Sequence, residues 1–414
     1  MLKFTENIIA QMTRECNLRC KFCYESPKKE WKGKYIDFES FKKIIDTIIY
    51  QRCILGTIEN KINWHFHGGE FLLIPFEDFK KDIEYLEERK KFFPGLNWCS
   101  QSNGLLLNEE IAKYFVEHNL SFGFSFDGYF IEDRMPLDKN IELIEKFRDY
   151  HNRFGLHCSF IMVIKKENLK TWYNDALSCK DFCDSVGVNI LCDLSDDNIP
   201  TFEEQWTFIY EPILNSMLTS NPLMERNTLA MLSFALQSLL FNSENKEKTG
   251  CFSRLCAFGS NMISVDPNLE MHGCDKHLDR GPYANLIKNK SIFSLDFCGY
   301  QTVNEVLQHL NKIAKLEKQL GCDKCPAKDL CPGECQAYNI SRFGEDRLSK
   351  EGCILYNKIF DFIEEHWTTI LQKVPVLLNA EPTEITAYAR KKLKNTNLKL
   401  CIEKDKFYLK KLEE

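Results

Sequence analysis

The sequence predicts an α/β protein in which an open, partial (β/α)6 barrel of the TIM type precedes a small cysteine-rich domain. Three observations carry that reading. Short β-branched or aromatic runs alternate with amphipathic stretches through the first half, as in βα repetition on a parallel sheet. Six such units can be counted rather than eight. From Cys251 to Cys353 the composition changes to dense cysteine, Gly and Pro with little periodicity.

The predicted strands are residues 7–13, 62–67, 97–102, 121–126, 157–164 and 188–194. Between them the helical patterns are 38–49, 76–89, 108–118 and 140–152. In the first of these, Phe38, Phe41, Ile44, Ile45 and Ile48 fall at helical spacing. A helical region over 202–242 closes the barrel domain, assigned to 1–242, and the polar run 243–248 marks a boundary. The cysteine-rich domain is assigned to 243–373 and ends in a helix over 354–373. The Lys-rich tail, 374–414, combines a helical pattern at 384–394 with a hairpin at 399–412, and no functional reading attaches to it.

With 414 residues, 44% hydrophobic and 28% charged, the chain can bury a full core and has the composition of an ordinary globular protein. No run of eighteen apolar residues exists, so no membrane span is expected. A net charge of −6 gives no reason to invoke nucleic acid. The start, Met1-Leu2-Lys3-Phe4-Thr5-Glu6, lacks the pattern of a secretory signal, so a cytoplasmic location is expected. There the nineteen cysteines cannot be a disulfide scaffold, and metal or redox chemistry is the alternative.

Cys16-Asn-Leu-Arg-Cys20-Lys-Phe-Cys23 follows the first strand directly. Three thiolates on one short loop can hold three irons of a [4Fe–4S] cluster and leave the fourth without a protein ligand. An open metal position belongs to a catalytic site rather than a structural one. A zinc site would recruit a fourth ligand nearby, for which His65 and His67 are the early candidates. The loop, with an aromatic before its last cysteine, resembles the radical S-adenosylmethionine superfamily. That resemblance implies an open iron chelating S-adenosylmethionine, whose reductive cleavage gives a 5′-deoxyadenosyl radical, with Phe22 near the adenine.

Other segments fall where the resemblance places cofactor contacts. His67-Gly68-Gly69-Glu70 closes the second strand, Ser102-Asn103-Gly104 the third and Ser125-Phe126-Asp127-Gly128 the fourth. Each is a bland turn signal by itself, but all lie at the carboxyl ends of successive strands, where α/β sheets place their chemistry. Gly68, Gly69, Glu70, Asn103 and Ser125 are therefore the expected S-adenosylmethionine contacts, the glycines for close backbone approach and Glu70 as acceptor for the ammonium group.

Behind the barrel stands Cys322-x2-Cys325-x5-Cys331-x3-Cys335, followed by Cys353, with Cys251, Cys256 and Cys274 upstream. Eight thiolates suffice for two fully ligated [4Fe–4S] clusters or for two zinc sites, and the front loop favours iron. The arrangement resembles the SPASM domain of peptide-modifying radical enzymes, including anaerobic sulfatase-maturating enzymes. The resemblance implies one auxiliary cluster on Cys251, Cys256, Cys274 and Cys335, and a second on Cys322, Cys325, Cys331 and Cys353, making three [4Fe–4S] clusters in all. One departure is Leu269, where the family usually has Gly five positions before the cysteine matching Cys274. Asp275 matches the residue that serves as base in sulfatase maturation. Cys53, Cys99, Cys158, Cys179, Cys183, Cys192, Cys298 and Cys401 remain unassigned, as small apolar residues.

The implied activity is radical modification of a ribosomally made peptide, as a thioether or carbon–carbon cross-link or another change. The alternative is oxidation of a Cys or Ser to formylglycine; Asp275 favours it, while His67 and Phe71 depart from the Gln and Pro usual there. A reading of another class is a non-catalytic iron–sulfur electron carrier or metal-stabilised interaction protein. The expected partners are a peptide or protein substrate and an electron donor such as flavodoxin or ferredoxin. Only fifteen residues precede Cys16, so the winged-helix peptide-binding domain of many maturases is not expected. The substrate then binds in the barrel cleft or comes from a separate peptide-delivery protein.

Overall fold

The computed structural model describes residues 7–25, 29–54, 61–191, 198–219, 222–242, 262–272, 274, 311, 314–328, 331, 350–373, 384–394, 398–403 and 406–411. Six βα-type strands follow in order: β1 (Asn7–Thr13), β2 (Ile62–Gly68), β3 (Leu96–Ser102), β4 (Phe122–Ser125), β5 (Cys158–Ile164) and β6 (Cys183–Ile190). The helices among them are α1 (Phe38–Ile54), α2 (Phe76–Lys90), α3 (Glu109–Glu117), α4 (Leu137–Phe154) and the short α5 (Trp172–Ser178). The sequence signals place β1 to the residue, whereas β6 begins at Cys183 rather than at 188 and α5 has no predicted counterpart.

Alternation along the strands explains the layering. Ile8, Ala10 and Met12 of β1, Trp64 and Phe66 of β2, Phe122 and Phe124 of β4 and Phe160 and Met162 of β5 are all buried in the core. They meet aromatic rings from α1, α2 and α4. Phe41 of α1 lies edge-on to Trp64 at 5.1 Å, Phe79 of α2 meets Phe66 at 5.1 Å, and Phe147 of α4 stacks on Phe124 at 4.0 Å. Such pairs add about 0.5–1.5 kcal/mol each beyond their burial. The intervening residues Gln11, His65, His67, Gln101 and Ser125 are polar, and with Ile161 and Val163 of β5 they make a mixed inner face.

After β6 the helical region is broken into α6 (Phe202–Gln205), a π turn (Trp206–Tyr210), α7 (Glu211–Met217) and α8 (Arg226–Leu240). Thr201 starts it with a capping box to Glu204. A two-residue strand, β7 (Phe241–Asn242), pairs with β10 (Glu384–Ile385) near the other end of the chain.

The sheet does not stop at six strands. β8 (Met262–Val265) lies parallel to β1, with Asn7 opposite Met262 and Ala10 opposite Val265, and β9 (Met271–His272) folds back antiparallel to it. The order is β6-β5-β4-β3-β2-β1-β8-β9, seven parallel strands and one antiparallel. The hairpin turn at Asp266 carries Leu269 at φ +62°, the position where the resemblance expected Gly. Asp266 Oδ1 accepts from Asn268 N and Glu270 N, which stabilises this left-handed turn without glycine. A long helix, α9 (Lys350–Lys373), then α10 (Ala387–Leu393) and the hairpin β11 (Leu398–Glu403) with β12 (Lys406–Lys411) complete the described chain. No helix among the described residues is long and apolar enough to cross a membrane.

Candidate active site

β1 ends at Thr13 and leads straight into the loop that bears Cys16, Cys20 and Cys23. Two features fix this loop. Arg14 and Glu25 bracket it as a buried ion pair, Nε to Oε2 at 3.0 Å, with the Arg14 guanidinium 4.7 Å over the Trp31 ring. From the side of β2, Gly69 N donates to Thr13 O and Glu70 N to Glu15 O, both at 2.8 Å. A Cβ on Gly68, which sits at φ +133°, would lie 2.1 Å from Thr13 O, and one on Gly69 would lie 2.3 Å from Glu15 O. The sequence reading gave these glycines to the approach of a ligand. The close approach is to the chain's own backbone, although both residues also face the cavity.

That cavity, of about 200 Å³, gathers Cys16, Cys20, Cys23, Phe22, Gly68, Gly69, Asn103 and Ser125, the predicted residues of the barrel site except one. Glu70 is the exception. Its carboxylate is 1% exposed, with Oε1 accepting from Ser102 Oγ at 2.8 Å and Leu72 N at 3.0 Å, and Oε2 from Asn103 N at 2.6 Å. Burial pushes the Glu70 carboxyl above its ordinary value, against the pull of those hydrogen bonds. Asn103 in turn donates from Nδ2 to Asn17 Oδ1 at 2.7 Å and lies 3.8 Å from Cys16 Sγ. Glu70 thus orders the end of β3 against the cysteine loop.

Sequence reasoning missed Arg134, His67 as an individual contact, Gln101 and Asn189, all of which line the same cavity. Gln101 Nε2 donates to Ser125 Oγ at 3.1 Å. Arg134 has no motif to announce it, since it lies in the irregular segment before α4. Its Nε donates to Asp127 Oδ2 at 2.8 Å, its Nη1 is 3.9 Å from Cys20 Sγ, and its guanidinium is 5.2 Å over the Phe22 ring. On the same ring stands buried Lys165, 5.3 Å away and paired with Asp133.

The three thiols lie close enough to interact electrostatically. Burial pushes Cys16 up to about 11, with smaller contributions from Glu70, Cys20 and Cys23. Cys20 is also pushed up by burial, with Arg134 opposing. Such thiols stay protonated unless a metal takes them as thiolates. Three soft sulfur donors lining a cavity with apolar walls at Leu18, Ile161, Val163 and Leu191 fit a [4Fe–4S] cluster, which Cys16, Cys20 and Cys23 would hold.

Behind the barrel, Cys274 is buried two residues beyond β9. Cys322 opens a 3-10 turn, Cys325 N donates to its carbonyl at 3.2 Å, and Cys331 N donates to Ala327 O at 2.9 Å. Cys353 lies in the first turn of α9. Cys251, Cys256, Cys335 and Asp275 lie outside the described residues. Among the unassigned cysteines, Cys158 and Cys179 are core residues, Cys183 Sγ lies 3.6 Å from Cys158 Sγ, and Cys99 Sγ meets His65 Nδ1 at 3.0 Å.

Residues 10–177 match the family model of the Radical SAM superfamily. A serine-type anaerobic sulfatase-maturating enzyme from Bacteroides thetaiotaomicron is 34% identical over 119 residues, 27% of this chain and 27% of its own length. The matches span 27% to 45% of the lengths of the first curated relatives. Among solved structures, AdoMet-bound anSMEcpe shares the fold at a TM-score of 0.65, with 18% identity over 87% of this chain and 97% of its own. Streptococcus suis SuiB bound to precursor peptide SuiA does so at 0.54, with 14% identity over 85% of this chain and 76% of its own. The cysteine loop after β1 and most of the residues that line the cavity fall within 10–177, the segment that matches the Radical SAM superfamily model, whose members work with a [4Fe–4S] cluster and S-adenosylmethionine.

Proposed function

We propose that this chain is a radical S-adenosylmethionine enzyme that modifies a residue of a ribosomally made peptide, by a thioether or carbon–carbon cross-link or a related change. The observation that carries the reading is the convergence of three cysteines, Phe22, the Gly68-Gly69 strand end, Asn103 and Ser125 on one cavity. Cys16, Cys20 and Cys23 would hold the cluster, and Phe22, Gly68, Gly69, Asn103 and Ser125 the S-adenosylmethionine. When bound, these groups supply a carbon-centred radical able to remove a hydrogen atom from the peptide.

The chain's own part is binding, orientation and exclusion of water. Leu18, Ile161, Val163 and Leu191 give the cavity its apolar walls. Glu70 acts at one remove, fixing Asn103 and the cysteine loop. Two auxiliary clusters on Cys251, Cys256, Cys274 and Cys335 and on Cys322, Cys325, Cys331 and Cys353 would accept the second electron, and Asp275 the proton. The peptide lies in the barrel cleft or arrives on a separate delivery protein, and a ferredoxin- or flavodoxin-like donor supplies the first electron. Two similarities support a peptide substrate: anSMEcpe has been seen with a bound Cp18Cys peptide and SuiB with its precursor peptide. A second reading, formylglycine formation, is favoured by the match to a sulfatase-maturating enzyme.

The test is anaerobic reconstitution, reduction and mass-spectrometric assay of 5′-deoxyadenosine. Wild type should form it and the Cys16→Ala/Cys20→Ala/Cys23→Ala variant should not. Candidate peptides then separate cross-linking, in which two residues stay joined in fragmentation spectra, from formylglycine formation, which leaves a single aldehyde that a hydrazide probe captures. Absence of deoxyadenosine from fully iron-loaded wild type would leave an electron carrier as the better reading.

A further inference from the structure

We propose that Arg134 is a positioning residue that sets how readily the cluster on Cys16, Cys20 and Cys23 accepts its electron. The inference rests on the cluster reading above.

Arg134 places a cation against one of the loop's sulfurs. Its side chain is 12% exposed, its Nη1 stands 3.9 Å from Cys20 Sγ, and no ligand is needed to hold it there. Asp127 fixes it through Nε at 2.8 Å, and Asp127 is itself fixed because its other oxygen accepts from Val163 N at 2.8 Å. Asn168 Nδ2 anchors the Asp127 carbonyl, also at 2.8 Å. The guanidinium lies over the Phe22 ring, so it is held between Asp127, an aromatic face and the cysteine loop.

Asp127 binds the guanidinium at Nε, and Nη1 is the nitrogen turned to the Cys20 sulfur. A guanidinium keeps its charge at any working pH. Lys165 is the other cation by Phe22, but Asp133 and Glu167 offset it. A reduced cluster carries one more negative charge than an oxidised one, and a buried cation against one of its ligands favours the reduced form.

The experiment is a redox titration of the reconstituted full-length protein without peptide. It follows the electron paramagnetic resonance signal that the three-cysteine variant lacks. With Arg134→Gln the ratio of reduced to oxidised cluster, at the wild-type midpoint, should fall about tenfold, equivalent to ~59 mV for one electron. Asp127→Asn leaves the cation uncompensated and should shift the ratio the other way. Arg134→Lys should restore most of the wild-type value. Opposite shifts in the two variants support the assignment, because damage to the loop alone would move both alike. Equal shifts, or none, overturn it with the cluster intact. If wild type and the three-cysteine variant bind the same iron and show the same signals, the cluster reading fails, and this inference with it.

Discussion

Glu70 has both carboxylate oxygens committed within the chain, to Ser102, Leu72 and Asn103. That makes a specific prediction at the scale of one residue. Glu70→Gln removes an acceptor from a buried donor and should lower stability by about 1–3 kcal/mol. S-adenosylmethionine affinity should weaken with it, because Asn103 loses its anchor. Thermal melts and calorimetric titration check both; weaker binding with an unmoved Tm would mean that Glu70 contacts the ligand directly. The motif around Glu70 was legible in the sequence because it sits at a strand end, but its role was not. The choice between a ligand and a neighbouring N–H as partner depends on where β3 lies. Arg134 was illegible for a related reason: its partners Cys20 and Phe22 lie on the cysteine loop and Asp127 just after β4, and only the fold brings the two segments together.

At the scale of elements, α2 hides an anomaly on its packed face. Asp82 is 1% exposed, and neither of its oxygens has a hydrogen-bond partner among the described residues. Burial, with Asp78 and Asp37 adding, raises it from 3.8 to about 9. A carboxyl whose folded value lies above its unfolded one helps most below the unfolded value, and that help is lost as pH rises toward the folded one. Wild-type stability should therefore decline between about pH 4 and 9 through this residue. Asp82→Leu should remove the decline and stabilise the protein by on the order of 1–3 kcal/mol near pH 8. Urea melts at pH 5 and 8 decide it, and an equal gain at both would contradict this account. The elements themselves were mostly legible, since alternation and helical spacing report burial on one face. β6 was placed late because Cys183-Asp-Ser-Val-Gly reads as a turn while the apolar run after it reads as a strand. α5 was missed because seven residues hold too few turns to show a period.

At the scale of the whole molecule, the departure from expectation is β8. Four residues inside a cysteine-dense stretch carry no period, so nothing local announces a strand; it exists because β1 would otherwise be a bare edge. The predicted division at 242/243 would cut a continuous sheet. A chain ending at residue 242 should leave β1 unpaired on that side and associate through it. Light scattering should show aggregates and calorimetry a lower Tm; a monomer that melts as the full chain does would count against this.

The pairing of β1 with β8 also bears on how the protein is made. Ser264 Oγ reaches Ile9 O across 255 residues of chain. At typical synthesis rates of 5–20 residues per second, β1 waits about 13–50 s after leaving the ribosome before its outer neighbour exists. Its edge is open to other chains through that interval, and the three thiols beside it stand on an unfinished sheet. In the eight-stranded sheet, β1 is thus the strand whose outer neighbour comes from farthest along the chain.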